Sequence, residues 1–173
     1  MELTLLRHAP LPKHFQKRYI GHSNIAIDTT LFEKNKIAPL MGKKYDALYS
    51  SDLLRCTQTL EQCGFECFIP DTRLREVRFK SHIEGKNFGE IETMDDFDPI
   101  FLESQESWHA YICDESIDVF QSRIKCFLDE LPREGNVLLC SHAGTIREIL
   151  RVLDSLNPPK TVDYLDYTIV RVK

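Results

Sequence analysis

Val137-Leu138-Leu139-Cys140-Ser141-His142-Ala143-Gly144-Thr145-Ile146 begins as an unbroken apolar run, stops at a polar pair and resumes beyond a glycine. Four consecutive apolar residues predict a strand buried on both faces, and Ile146, Ile149, Leu150 and Leu153 then fall on one side of a following helix. A strand covered on both faces needs helices on both sides, so this stretch predicts an α/β fold with a mainly parallel sheet.

Other segments repeat the pattern. Leu3 to Leu6 ends at Arg7-His8, Asp46 to Tyr49 ends at Ser50-Ser51, and Cys67-Phe68-Ile69 precedes Pro70. Tyr167 to Val172 alternates and reads as an edge strand. Between them, Ser51 is placed to cap a helix bearing Leu53, Cys56 and Leu60 on one face. Ser116 to Leu131, stopped by Pro132, carries Ile117, Phe120, Ile124, Phe127 and Leu128 at helical spacing. With 173 residues, no internal repeat and no Gly/Ser-rich linker, residues 1–173 are expected to form one three-layer α/β/α domain.

Bulk properties exclude several classes of function. Lys and Arg number 22 against 27 Asp and Glu, a formal charge of −5, which argues against broad binding to nucleic acid or an anionic membrane. No stretch is apolar for long enough to span a bilayer, and Met1-Glu2-Leu3-Thr4 has no basic n-region. The six cysteines form no C-x-x-C pair. The expectation is a cytoplasmic protein with reduced thiols, no cofactor and no metal. The chain does not disclose an oligomeric state.

His8, Ser50-Ser51 with Arg55, and Ser141-His142 all follow the carboxyl ends of predicted strands, where open α/β sheets bind ligands. Transferring phosphoryl groups spread negative charge over several oxygens, which the guanidinium forks of Arg7 and Arg55 suit. A neutral imidazole is a competent nucleophile near pH 7, so His8 is a candidate to attack phosphorus. Taken alone, His8 reads equally well as a core histidine held by backbone hydrogen bonds. His142 and the amides that follow it, beginning at Ala143, sit at a helix start and could bind phosphoryl oxygens.

Together these stretches resemble the histidine phosphatase superfamily, the phosphoglycerate mutase-like family, over nearly the whole chain. The resemblance is carried by L-L-R-H at 5 to 8, Y-D-A-L-Y-S-S-D-L-L-R-C-T-Q-T at 45 to 59, L-R-E-V at 74 to 77, D-E-S-I-D-V-F-Q-S-R-I at 114 to 124 and N-V-L-L-C-S-H-A-G-T-I-R at 136 to 147. It implies that His8 becomes a phosphohistidine, that Arg7, Arg55 and His142 bind the phosphoryl group, and that Glu76 protonates the leaving oxygen. An ungapped count puts His14 where the family has a further phosphoryl contact, and Tyr19-Ile20-Gly21 on a substrate loop.

The chain departs from the family pattern in places. Ala9-Pro10 replaces the usual Gly-Glu after the histidine, Ile20 cannot supply the hydroxyl that mutases use, and Lys80 stands where glycine is usual. The resemblance therefore implies a metal-independent phosphatase acting on a small phosphorylated substrate, most similar to α-ribazole phosphatase-type members. Phosphohistidine protein phosphatases, which tend to lack the acid matched by Glu76, and phosphoglycerate mutases are the alternatives within the family. A non-catalytic phospho-ligand binding protein is the alternative from another class. Phe88, Phe97, Phe101 and Trp108 read either as core residues or as an apolar lid.

Overall fold

The computed structural model describes residues 1–153 and 161–172. Its elements run β1 (Glu2–Arg7), α1 (Lys34–Met41), β2 (Ala47–Ser51), α2 (Leu54–Gln62), β3 (Ile69–Asp71), α3 (Phe88–Ile91), α4 (Gln105–Ile112), α5 (Ile117–Asp129), β4 (Asn136–Ser141), α6 (Ala143–Val152) and β5 (Tyr167–Arg171), joined by loops and short 3-10 turns. The strands form one sheet in the order β3-β2-β4-β1-β5. All pairings are parallel except β1 with β5.

Alternation along the strands builds the layers. Val137 and Leu139 of β4 face one cluster with Phe120, Ile124 and Phe127 of α5 and Ile146, Ile149 and Leu150 of α6. Leu138 and Cys140 face the other, with Ile37 and Leu40 of α1 and Cys56 and Leu60 of α2. Every one of those β4 residues is fully buried, and truncating such a leucine to alanine costs about 2–5 kcal/mol. The expected α/β/α domain is the one observed. Among the described residues, no helix is long and apolar enough to cross a membrane.

Some boundaries differ from expectation, each for a local reason. Ser51 does not cap α2; it ends β2, and α2 begins at Leu54, whose amide is met by Asn24 Oδ1 at 2.7 Å. β3 includes Pro70, which an edge strand tolerates because one of its sides needs no donor. Ser116 does cap α5, accepting the Val119 amide. Helix α1 was not expected, because its interior Pro39 and mixed sequence hide the two buried residues Ile37 and Leu40.

Candidate active site

Strand register assembles the site. β1 and β4 are parallel neighbours with Arg7 opposite Ser141, so the next residue of each, His8 and His142, emerge side by side at the carboxyl edge of the sheet. Their ring centroids lie 5.2 Å apart. β2 flanks β4 on the other side and delivers Ser51 and, as the second residue of α2, Arg55. A cavity of about 160 Å³ opens here, with Arg7, His8, Arg55, Glu76, His142 and Ala143 in its walls.

His8 is buried, and its Nδ1 lies 2.8 Å from the Ala9 carbonyl oxygen. A carbonyl only accepts, so Nδ1 carries the proton, and the lone pair of a neutral ring sits on Nε2. Burial holds the His8 pKa well below the ordinary histidine value, and the nearby Arg55 and Arg7 guanidiniums lower it further. Ala9, the departure from the usual glycine, is fully buried, with its amide bonded to Thr59 Oγ1 at 2.8 Å. It is not among the positive-φ residues, so alanine fits there without backbone strain.

Arg55 is 1 % exposed and triply anchored. Its Nε donates to His142 Nδ1 at 3.1 Å, and its terminal nitrogens donate to the carbonyls of Ser23 at 2.8 Å and Gly21 at 2.7 Å. A guanidinium has five N–H groups, so one on each terminal nitrogen is left for an anion. Arg7 donates to the Val162 carbonyl and stacks on Tyr164, its guanidinium carbon 3.9 Å from the ring centroid. Burial pulls both arginine pKa values down, though arginine remains charged at pH 7.

His142 departs from the expected phosphoryl donor. Because Nδ1 accepts from Arg55, the ring proton is on Nε2, and that N–H meets Ser51 Oγ at 2.9 Å. Burial, reinforced by Arg55, keeps its pKa well below the ordinary value. In this arrangement His142 positions Arg55. The donors left for a phosphoryl group are the two guanidiniums and the Ala143 amide, which a helix start leaves without an intrahelical partner.

Glu76 is 9 % exposed and reaches the cavity from the loop after β3. Oε2 accepts the Gly144 amide at 2.9 Å and Oε1 the Val77 amide at 3.0 Å. The loop backbone is pinned by Ser141 Oγ on the Leu74 carbonyl, Thr145 Oγ1 on the Arg75 carbonyl, and His22 Nε2 and Arg123 on the Glu76 carbonyl.

Of the candidate substrate residues, Tyr19 and Ile20 line the cavity. Gly21 sits behind it, where a Cβ would lie 2.6 Å from the Val77 carbonyl oxygen, and its own carbonyl holds Arg55. The structure does not bring His14 to the site: it is exposed on a 3-10 turn with its ring against Phe15, 4.1 Å between centroids. Lys80 also lies outside the cavity walls, its ammonium bonded to the Ala110 carbonyl. Ser51 was expected at this edge of the sheet, whereas Tyr164, Thr59 and Gly144 are parts of the site to which motif reading gave no role. Only Gly144 left a signal, a glycine in a helix's first turn where the helix itself has no use for one.

The profile of the histidine phosphatase superfamily (branch 1) matches residues 3–172. The chain belongs to the histidine phosphatase superfamily. Among solved structures of similar proteins, TTHB049 from Thermus thermophilus is 25% identical, with coverage of 98% of this chain and 93% of that one and a TM-score of 0.71. A structure described as phosphoglycerate mutase from the same organism is 28% identical over 95% of this chain and 94% of its own, with a TM-score of 0.65. A candidate alpha-ribazole-5'-P phosphatase from Escherichia coli K-12 shares the fold at a TM-score of 0.77 and 19% identity, covering 98% and 89% of the two chains. None of the curated proteins compared with the chain matches it significantly. Superfamily membership supports phosphatase- or mutase-type chemistry.

Proposed function

We propose that this superfamily member is a phosphomonoesterase that hydrolyses a small phosphorylated metabolite through a phosphohistidine at His8. The observation that carries the reading is the bond from His8 Nδ1 to the Ala9 carbonyl, which commits the lone pair to Nε2 beside two arginines. In the first step Nε2 bonds to phosphorus as the phosphorus–oxygen ester bond breaks, and Glu76 gives its proton to the departing alkoxide. Glu76 Oε2 keeps a lone pair beyond the one taken by the Gly144 amide, so it can carry that proton. In the second step Glu76 takes a proton from water, the oxygen bonds to phosphorus, and the nitrogen–phosphorus bond breaks. Arg7, Arg55 and the Ala143 amide balance charge on the peripheral oxygens throughout.

Ile20 in the cavity wall favours water over a phosphoglycerate hydroxyl as acceptor, since it offers no hydrogen bond to a substrate carboxylate. The first metabolite to test is α-ribazole 5'-phosphate, and the enzyme is expected to act in a reduced cytoplasmic setting.

The deciding experiment is hydrolysis of p-nitrophenyl phosphate in EDTA, with wild type beside His8→Ala. Turnover by wild type, loss in the variant and an acid-labile phosphoprotein in the wild type are expected. Undiminished activity in His8→Ala would remove the nucleophile, and loss of wild-type activity in EDTA would make metal part of the reaction. Binding without hydrolysis of any phosphomonoester would point to a phospho-ligand binding protein, and interconversion of phosphoglycerates would point to a mutase.

A further inference from the structure

We infer that the substrate's leaving group carries a planar heteroaromatic ring with a donor and an acceptor on its edge, as a purine has, and that this ring occupies a second cavity beside the catalytic one. The inference rests on the phosphoryl-transfer reading of His8 and Glu76.

In an in-line displacement the leaving oxygen departs on the side opposite the nucleophile, and the acid that protonates it marks that side. Val77 and Gly144, whose amides hold the two Glu76 oxygens, also form walls of a separate cavity of about 260 Å³. Tyr19 and Phe79 are walls of both cavities, so the second one adjoins the catalytic one on the Glu76 side. A larger pocket of about 720 Å³, bearing Lys13, Lys17 and Lys36, adjoins Arg7 and Tyr164 on the phosphate's side instead.

The walls of the second cavity suit a flat ring. Tyr19 stands edge-on to Phe79 at 5.4 Å and to Trp108 at 6.0 Å between centroids, leaving aromatic surface for stacking. Five buried side-chain polar atoms have no partner among the described residues, and two of them belong to walls of this cavity: Arg147 Nε and Glu148 Oε1. Glu148 is 4 % exposed, and its other oxygen is taken by Arg151 at 2.9 Å. Both atoms are closed off from the open space of the cavity, so a ligand reaches them when the two side chains turn toward it. An unpaired buried polar atom costs about 1–3 kcal/mol, and a ligand that supplies both an acceptor for Arg147 and a donor for Glu148 then relieves two such costs together.

Trp108 is the single tryptophan of the chain, so its fluorescence reports this cavity alone. In the full-length His8→Ala protein, which prevents turnover, adenosine 5'-monophosphate is expected to quench Trp108 saturably and to bind about ten-fold tighter than ribose 5-phosphate. Inorganic phosphate is expected to compete with it. Trp108→Leu, followed by calorimetry, is expected to bring the affinity ratio close to one. Should that variant misfold, Arg147→Met at a half-buried position of α6 is expected to weaken the nucleotide more than the sugar phosphate.

Equal affinities for the two ligands, absence of quenching, or a ratio that survives these substitutions would overturn the inference. Tighter binding of α-ribazole 5'-phosphate, whose benzimidazole has no N–H for Glu148, would overturn the ring-edge assignment. A retained preference for the nucleotide in a protein that fails to hydrolyse p-nitrophenyl phosphate would sink the phosphatase reading and support the ring site.

Discussion

Glu76 and Gly144 are fitted to each other: Oε2 accepts the Gly144 amide at 2.9 Å, and a Cβ on Gly144 would lie 2.3 Å from Oε1. The glycine's missing side chain is the space in which the carboxylate sits. Helix α6 thereby supplies a hydrogen bond and clearance to an acid on a loop far away in sequence.

Gly144→Ala is therefore expected to push Glu76 out of place. If Glu76 is the general acid, kcat/KM for an alkyl phosphate should fall about 10²-fold or more, and an aryl phosphate, whose leaving group needs little protonation, should be affected much less. Equal losses on both substrates would show that the carboxylate does not donate the proton. Circular dichroism and thermal melting establish that the variant is folded.

His8 and His142 should remain neutral well below pH 6.5 in the folded protein, since burial lowers both pKa values. Their Cε1–H resonances are expected to stay at the neutral position at pH 6.5, where an unperturbed imidazole is about half protonated. The linked effect on stability has a definite sign. Below the unfolded value of about 6.5 the unfolded chain binds protons that the folded one refuses, so stability falls as pH drops, by at most about 1.4 kcal/mol per pH unit for each histidine. Urea melts at pH 7 and pH 5.5 measure this, and His8→Asn should flatten the dependence.

Arg55→Lys keeps the charge but cannot reproduce a fork that bonds His142, Ser23 and Gly21 at once. A stability loss of about 2 kcal/mol or more is expected, together with loss of activity. A variant as stable as wild type in urea would show that the three bonds contribute little.

Tyr164 faces Arg7 at 3.9 Å, a cation–π geometry worth about 0.5–2 kcal/mol. Tyr164→Ala should raise KM for an aryl phosphate several-fold with less change in kcat, and Tyr164→Phe should restore it. A change confined to kcat would place Tyr164 in the chemical step instead of in holding Arg7.

Much of the architecture was legible because it rests on local pattern. Val137 to Cys140 is apolar on both faces, and Ile146, Ile149 and Leu150 repeat at helical spacing, so a double-covered strand followed by an amphipathic helix was dictated before any tertiary contact formed. The positions of Arg7, His8, Arg55 and His142 were legible too, because parallel strands bring the residues just past their carboxyl ends to one edge. His14 went wrong for a related reason: an ungapped count places residues by number, whereas a loop places them by its own turns.

What the sequence by itself determined, then, was the layered sheet and which residues gather at its edge. Tertiary structure alone decided what those residues do there. That His142 accepts from Arg55 and gives its proton to Ser51, that Tyr164 lies beneath Arg7, and that Gly144 makes room for Glu76 all depend on atoms distant in sequence meeting within a few ångströms. Period and propensity describe one segment at a time. Hydrogen-bond partners and clearances belong to pairs of segments, and they exist only once the sheet has brought those pairs together.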